Sequence, residues 1–168
     1  MDAYLDIETT GLSPLVCSIT VIGIYRQTCE GYRLIQLVGD DITDIGLAEA
    51  MEGVSTLYTY NGARFDLGFI EAKLGYCLPS TVAHRDLMKT CWGHGLYGGL
   101  KAVERRLGIE RELTGVSGRD AIDLWWDYVN ERDTRSLETL LQYNKEDVVN
   151  LKTLRECLEA RERRGESS

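Results

Sequence analysis

Two carboxylate side chains near the start of the chain have the spacing of a shared cation site. Asp6 and Glu8 stand two positions apart in the stretch Leu-Asp-Ile-Glu-Thr-Thr-Gly, and on a strand such residues point to the same side of the sheet. Carboxylate oxygens are the ligands that hard cations such as Mg²⁺ prefer. The pair lies at the carboxyl end of a predicted first strand, where open α/β sheets bind ligands. Because the chain has 27 acidic residues, the pair alone is equally compatible with an ordinary acidic strand end.

Two later stretches add a third and a fourth carboxylate. In Tyr-Asn-Gly-Ala-Arg-Phe-Asp, Asp66 falls in the first turn of a predicted helix, where it could also simply compensate the helix dipole. In Tyr-Asn-Lys-Glu-Asp, Tyr143 and Asp147 are one turn apart and share a helix face. The opposite face of that helix carries an apolar stripe, so we expect Tyr143 and Asp147 to face a cleft. On its own, a Tyr–Asp pair is also common on the surface of helices.

The hydrophobic pattern predicts the elements that position these residues. Three strand-like runs come first, helix and strand then alternate, and the second half is helical. This order predicts one α/β domain over residues 1–160, with a mixed five-stranded sheet and helices on both faces. The charged segment 161–168 is predicted to be a frayed tail. The predicted strands are 2–8, 16–25, 31–38, 55–60 and 81–85, and the predicted helices are 44–52, 64–74, 86–92, 99–107, 119–131 and 136–160.

Taken together and in this order, the three acidic stretches resemble the motifs of the DEDD exonucleases of the ribonuclease H-like superfamily. The resemblance extends from residue 2 to about residue 154. The chain resembles the tyrosine branch, because Tyr143 stands four residues before Asp147 and the position five residues before it is Gln142 instead of His. The stretch GLKAVERRLGIER, residues 99–111, is also similar to the small bacterial exonuclease domains of this superfamily.

This resemblance implies a ribonuclease H-like fold and a 3′–5′ exonuclease. Such an enzyme would hydrolyse phosphodiester bonds at single-stranded DNA or RNA ends with two Mg²⁺ or Mn²⁺ ions. By the same resemblance, Asp6 would bridge both ions. Glu8 and Asp147 would complete the first ion site, Asp66 would hold the second ion, and Tyr143 would orient the attacking water. A metal requirement fits the chemistry, since four carboxylates in one place repel each other without cations.

The charge balance indicates that substrate contacts are local. The net charge is −8, from 19 basic and 27 acidic residues, so an extended basic surface for nucleic acid is not expected. Arg64 beside the second motif, Lys101 after two glycines and Lys145 beside the third motif are the candidate substrate-binding cations. Asn61 is a further candidate that would support the second motif. For each of these residues, a solvated surface position is the plain alternative.

The composition also indicates where in the cell the protein is located. No apolar run approaches the ~20 residues that cross a bilayer, and the first predicted strand leaves no room for a signal peptide. The chain has 5 scattered cysteines without a C-x-x-C pair, which is typical of reduced thiols. We therefore expect a cytoplasmic protein without membrane association. The sequence indicates no particular protein partner.

Three other functions are compatible with part of the sequence. A ribonuclease H-like scaffold could bind nucleic acid or a partner without cutting, although the complete acidic set argues against it. Residues 6–9 also resemble the opening motif of haloacid dehalogenase-type phosphatases, with the acidic run 39–44 in place of their late motif. That interpretation leaves the third acidic stretch unexplained.

The four residues that would instead form a zinc site are Cys77, His84, Cys91 and His94. Their spacing is wider than that of structural zinc sites.

Overall fold

A computed structural model describes residues 1–165 of the chain. Its strands are β1 (Asp2–Thr9), β2 (Ile19–Thr28), β3 (Gly31–Val38), β4 (Thr56–Thr59) and β5 (Ala83–Asp86). They form one sheet in the order β3-β2-β1-β4-β5. The β1–β2 and β2–β3 pairs are antiparallel, whereas the β1–β4 and β4–β5 pairs are parallel. β1 is therefore the central strand, and the predicted mixed five-stranded sheet is confirmed.

Each predicted helix is present, with bounds that differ by a few residues. The α-helices within the described residues are α1 (Asp44–Ala50), α2 (Asp66–Leu74), α3 (Leu87–Gly93), α4 (Leu100–Leu107), α5 (Gly118–Glu131) and α6 (Thr134–Arg163). Among residues 1–165, no helix is both long enough and apolar enough to span a membrane.

The start of β2 and the end of α6 differ from the sequence prediction for identifiable reasons. β2 begins at Ile19 and not at residue 16, because residues 10–18 form a loop that leaves the apolar side chains of Leu15 and Val16 exposed. α6 continues three residues into the segment that was predicted to be a frayed tail. Its last turn is basic, and cations at that end interact favourably with the helix dipole. The end of the predicted tail, residues 166–168, lies outside the described residues.

The alternating side chains of β1 separate two helical layers. Ala3, Leu5 and Ile7 pack in a core with apolar residues of α1 and α2. Tyr4, on the other face, packs in a second core with apolar residues of α3, α4 and α6. Asp6 and Glu8 follow Tyr4 in the same period of two, so both carboxylates lie on the α6 side of the sheet.

A glycine in β2 allows α6 to approach this face closely. Gly23 is the β2 residue that pairs with Asp6. A Cβ atom at position 23 would lie 2.1 Å from Oδ1 of Asn144 in α6, so a larger residue would displace the helix. The Nδ2 of Asn144 donates hydrogen bonds to the backbone oxygen of Asp6 at 3.3 Å and to its Oδ2 at 3.4 Å. The close approach therefore places the middle of α6 against the acidic end of β1.

Candidate active site

Three of the predicted carboxylates meet between β1 and α6. Asp6, Glu8 and Asp147 each offer one carboxylate oxygen, and these oxygens lie within 4.8 Å of one another. Glu8 and Asp147 are buried, whereas Asp6 is partly exposed. Residues that are about 140 positions apart in the chain thus share one cluster, which we call the acidic cluster.

Asp66 lies next to the acidic cluster, against the backbone of β1. Its Oδ1 accepts a hydrogen bond from the amide of Ile7, the residue between Asp6 and Glu8, at 3.1 Å. The parallel pairing of β1 with β4 ends at Tyr4, so the amide of Ile7 is available to a side chain instead of a strand. Asp66 is buried at the start of α2 and therefore adds a fourth carboxylate beside the other three.

The turn that precedes α2 is held by Asp86, a residue that the sequence analysis missed. Asn61 has a φ of 62°, and its backbone amide donates to Oδ1 of Asp86 at 2.8 Å. The amide of Ala63 donates to Oδ2 of Asp86 at 3.3 Å. This turn delays the start of α2 to Asp66, two residues after the predicted start. Because Asp86 ends β5, two strands away from β1, no local pattern could have identified this contact.

Tyr143 lies one turn before Asp147 and faces a lysine. The Nζ of Lys101 donates a hydrogen bond to the hydroxyl of Tyr143 at 2.7 Å. An ammonium group has only donors, so the tyrosine oxygen is the acceptor and its own proton is free for another partner. Burial, followed by the charges of Asp147 and Glu8, raises the pKa of Tyr143 above its ordinary value. The phenol therefore stays neutral and can donate a hydrogen bond.

Both α6 residues line cavities, as expected for positions that face a cleft, but they are more buried than the sequence suggests. Tyr143 is 5% exposed and Asp147 is 6% exposed. Tyr143 belongs to an apolar cluster that includes Ala121 of α5, and Leu113 and Val116 of the segment 109–117 pack against this cluster. The helix stripe alone could not predict this cover, since it belongs to another part of the chain.

Two cavities meet at Asp6, Tyr143 and Asp147. The first, of about 420 Å³, is also lined by the first turn of α4 and the side chains of Lys101 and Arg105. The second, of about 230 Å³, has the apolar side chains Leu12, Phe65 and Ile122 in its wall. The acidic cluster thus lies between a cationic compartment and a smaller apolar one.

The predicted substrate-binding residues do not all reach these cavities. Lys101 lines the first cavity. Asn61, Arg64 and Lys145 line neither of the two. Arg64 and Lys145 are exposed, and Lys145 instead donates to Oε1 of Gln142 at 3.5 Å. A position next to a motif in the sequence did not predict where the side chain points. Arg64 lies in a turn, and Lys145 lies on the solvent side of α6.

The electrostatics of the four carboxylates explain why the site suits a divalent cation. Burial first, and then the charges of neighbouring carboxylates, raises the pKa of Asp6 and Glu8 well above their usual range. Burial raises the pKa of Asp66 to about 7. It also raises the pKa of Asp147 to about 6, although a nearby guanidinium opposes the shift. The Oε1 of Glu8 is buried without a hydrogen-bond partner. An all-oxygen donor set with an unpaired buried oxygen fits Mg²⁺ or Mn²⁺.

These pKa shifts predict that the metal-free protein loses stability as the pH rises. Asp66 is protonated more readily in the folded than in the unfolded chain, where its pKa is about 3.9. The stability that it contributes is therefore complete below about pH 4 and is lost as the pH rises through about 7. We expect urea denaturation in chelator to give a lower free energy of unfolding at pH 8 than at pH 5.

The matched variant for this prediction is Asp66→Asn. Its amide oxygen can still accept the hydrogen bond from Ile7, but the side chain no longer titrates. We expect the free energy of unfolding of this variant to fall less between pH 5 and pH 8 than that of the wild type. Equal falls in the two proteins would contradict the raised pKa of Asp66.

The residues of the alternative zinc site do not come together. His84 Nε2 lies 2.9 Å from the hydroxyl of Thr59, and His94 pairs with Glu162 at 3.5 Å. Within residues 1–165, the acidic cluster is the group of histidine, cysteine and acidic side chains whose ligand atoms converge on a metal position. The acidic run of the phosphatase interpretation begins after β3, the edge strand of the sheet, and is not part of this cluster.

Comparisons with known proteins assign the fold. The family model RNase_H_2, described as RNase_H superfamily, matches residues 3–159. A search of curated proteins gives no match. Among solved structures, the family B DNA polymerase of Pyrobaculum calidifontis is similar, with a TM-score of 0.69 and 17% identity over 94% of this chain. Brucella melitensis NrnC bound to pGG has a TM-score of 0.60 and 21% identity over 98% of this chain.

The coverage of these two structures differs. The chain spans 24% of the polymerase chain and 75% of the NrnC chain. At such identities the structural similarity shows a common fold, while the family model covers nearly the whole chain. The chain therefore belongs to the RNase_H_2 family of the ribonuclease H superfamily.

Proposed function

We propose that this protein is a metal-dependent nuclease that removes nucleotides from the 3′ end of single-stranded DNA or RNA. The observation that carries the proposal is the convergence of Asp6, Glu8 and Asp147 within 4.8 Å, with Asp66 bonded to the backbone between the first two. The arrangement uses the same residues that resemble the DEDD motifs. Carboxylates that repel one another in a buried place are costly unless they serve a cation.

Two divalent ions in such a site would activate water and stabilise the leaving oxygen of the phosphodiester. Each nearby residue then has a distinct task. Asp6 and Asp147 both lie at the junction of the two cavities, and by the resemblance to the DEDD motifs Asp6 would serve both ion positions. Glu8 and Asp147 would complete the first ion site, and Asp66, which lies beside the acidic cluster, would hold the second ion. Tyr143, kept neutral and fixed by Lys101, donates its proton as a hydrogen bond that orients the attacking water.

The two cavities suggest where the substrate lies. The phosphate that reacts must sit at the acidic cluster, so the nucleotides on its two sides occupy different cavities. The smaller cavity, with Leu12 and Phe65, suits the base and sugar of one terminal nucleotide. The larger cavity, with Lys101 and Arg105, suits the phosphates of the remaining strand. This division supports the proposal, since it would leave room for one terminal nucleotide on one side of the reacting phosphate.

The ligands named for one similar protein agree with this proposal. Brucella melitensis NrnC is described in complex with pGG and also with bound Mg²⁺. We infer that the present chain binds the same two classes of ligand, an oligonucleotide and a divalent cation. We propose that the divalent cation is Mg²⁺ or Mn²⁺.

Replacing Tyr143 with Phe is expected to slow cleavage by about 10- to 100-fold, because a hydrogen bond that involves a charged partner contributes about 1.5–3 kcal/mol. The pH profile of the rate should keep its shape, since the phenol does not titrate in the working range. Single-turnover kinetics at several pH values measure both properties. A rate equal to that of the wild type would remove Tyr143 from the mechanism.

The proposed function is tested with single-stranded DNA and RNA that carry a label at the 5′ end. With Mn²⁺ or Mg²⁺, we expect a ladder of products that shorten stepwise, and a 3′-blocked oligonucleotide should resist cleavage. An Asp147→Asn protein purified in parallel controls for contaminating nucleases. Binding without shortening would support the non-cutting scaffold, and release of phosphate from small monoesters would support the phosphatase. Either result would overturn the proposal.

A further inference from the structure

Arg111 connects the acidic cluster to a second buried network that the proposed mechanism does not use. It lies in the segment 109–117, after α4, and its side chain is 10% exposed. Its Nη2 donates to Oδ1 of Asp147. Its Nε donates to Oε2 of Glu104 at 2.7 Å, and Nη2 also donates to Oε1 of Glu104 at 3.3 Å. The guanidinium therefore hydrogen-bonds two buried carboxylates, and its Nη1 lies 3.9 Å from Oε2 of a third, Glu146.

Glu104 is fixed by a contact that does not involve Arg111. It is 1% exposed in α4, and its Oε1 accepts a hydrogen bond from Nδ2 of Asn150 at 3.0 Å. Asn150 lies on α6, three residues after Asp147, and it also donates to the backbone oxygen of Glu110 at 3.3 Å. Asn150 of α6 thus fixes Glu104, and Glu104 fixes Arg111. Arg111 in turn contacts Asp147, which lies on α6 as well.

The segment that carries Arg111 is anchored to the same helix. The amide of Leu113 donates to Oε1 of Glu146, the neighbour of Asp147, at 2.9 Å. The Nζ of Lys101 donates to the backbone oxygen of Val116. These two contacts fix the backbone after Arg111, and the hydrogen bond from Asn150 to the backbone oxygen of Glu110 fixes it immediately before. Arg111 is therefore placed from outside the acidic cluster, and does not depend on the cluster for its position.

We propose that Arg111, braced by Glu104, is a positioning residue that holds one oxygen of Asp147 and leaves the other oxygen for the metal ion. This inference rests on the proposed function of the acidic cluster. Three facts favour it over a plain structural ion pair. The guanidinium contacts a carboxylate of the cluster directly, its Nε and Nη2 form a two-pronged pair with Glu104 that fixes its orientation, and Nη2 reaches a single oxygen, Oδ1, of Asp147.

The decisive variant is Arg111→Lys, since it keeps the positive charge and removes the fork. Partners that orient a metal ligand typically contribute about 10- to 100-fold to metal affinity. We expect Arg111→Lys to bind Mn²⁺ at least about tenfold more weakly than the wild type in calorimetry at fixed pH. Glu104→Gln keeps the arginine and removes its charged brace, and should also weaken Mn²⁺ binding. The matched control is Arg106→Lys, an exposed position on α4, the helix that carries Glu104, and it should retain wild-type affinity.

The outcomes separate this inference from the proposed function. Wild-type Mn²⁺ affinity in Arg111→Lys or, if that variant does not fold, in Glu104→Gln would overturn the positioning role, even if thermal stability fell. Failure of the wild type itself to bind Mn²⁺, or equal binding by wild type and Asp147→Asn, would instead overturn the metal site on which both proposals rest. Weakened binding in the two network variants, with the control unchanged, supports the role.

Discussion

Asp6→Asn is expected to lose at least about 10³-fold in turnover, which corresponds to about 4 kcal/mol of transition-state stabilisation. Asp6 and Asp147 are the two carboxylates of the acidic cluster that line both cavities, and Asp6 is the one proposed to serve both ions. Asparagine keeps the shape of the side chain but removes the charge that would hold a divalent ion. Single-turnover cleavage of a 5′-labelled oligonucleotide at saturating Mn²⁺ measures the loss.

The fold should survive this substitution. The carboxylate of Asp6 is repelled by its neighbours, so its removal is not expected to lower the stability of the metal-free protein. Asp147→Asn should give a loss of similar size. The matched control is Asp44→Asn, which removes one exposed charge from α1 on the opposite face of the sheet. Turnover close to that of the wild type in Asp6→Asn would contradict the assignment of the cluster.

Removal of divalent metal is expected to abolish cleavage completely, and addition of Mg²⁺ or Mn²⁺ should restore it. The same ions should stabilise the fold, because they neutralise carboxylates that otherwise repel one another. At a concentration of 100 times the Kd, a ligand of the native state stabilises it by about 2.7 kcal/mol. Thermal unfolding with and without Mn²⁺ measures this effect, and chelator-treated protein measures the loss of activity.

The control for metal removal is Asp6→Asn, whose thermal unfolding should respond much less to Mn²⁺. A shift in unfolding temperature of the same size in both proteins would locate the stabilising ion elsewhere. Cleavage that continues in chelator at the wild-type rate would contradict a metal-dependent mechanism.

Much of the fold could be predicted because the determining patterns are local. The period of two in β1 correctly separates Leu5 and Ile7 from Asp6 and Glu8, since the side of a strand depends only on its own sequence. The spacing of Tyr143 and Asp147 places both on one helix face for the same reason. The order of strands and helices then leaves few arrangements for a mixed sheet.

The parts of the site that the sequence could not predict depend on contacts between distant residues. Asp86 holds the turn before Asp66, and Arg111 holds Asp147, but neither has a spacing that links it to its partner. The direction of Arg64 and Lys145 was predicted from their neighbours in the chain, and the structure turns both toward solvent. The residues that hold the motif carboxylates in place are brought there by tertiary packing, and a local sequence motif does not encode such packing.

Diffraction from crystals soaked in Mn²⁺, measured at the manganese absorption edge, tests the central claim most directly. We expect anomalous density at the acidic cluster, with two peaks about 4 Å apart, Asp6 in contact with both, and Asp66 beside the second. Crystals of Asp6→Asn should lose at least one peak. Manganese that binds only at other residues, or well-ordered crystals with an empty cluster at saturating Mn²⁺, would contradict the claim that carboxylates from three distant stretches form one metal centre.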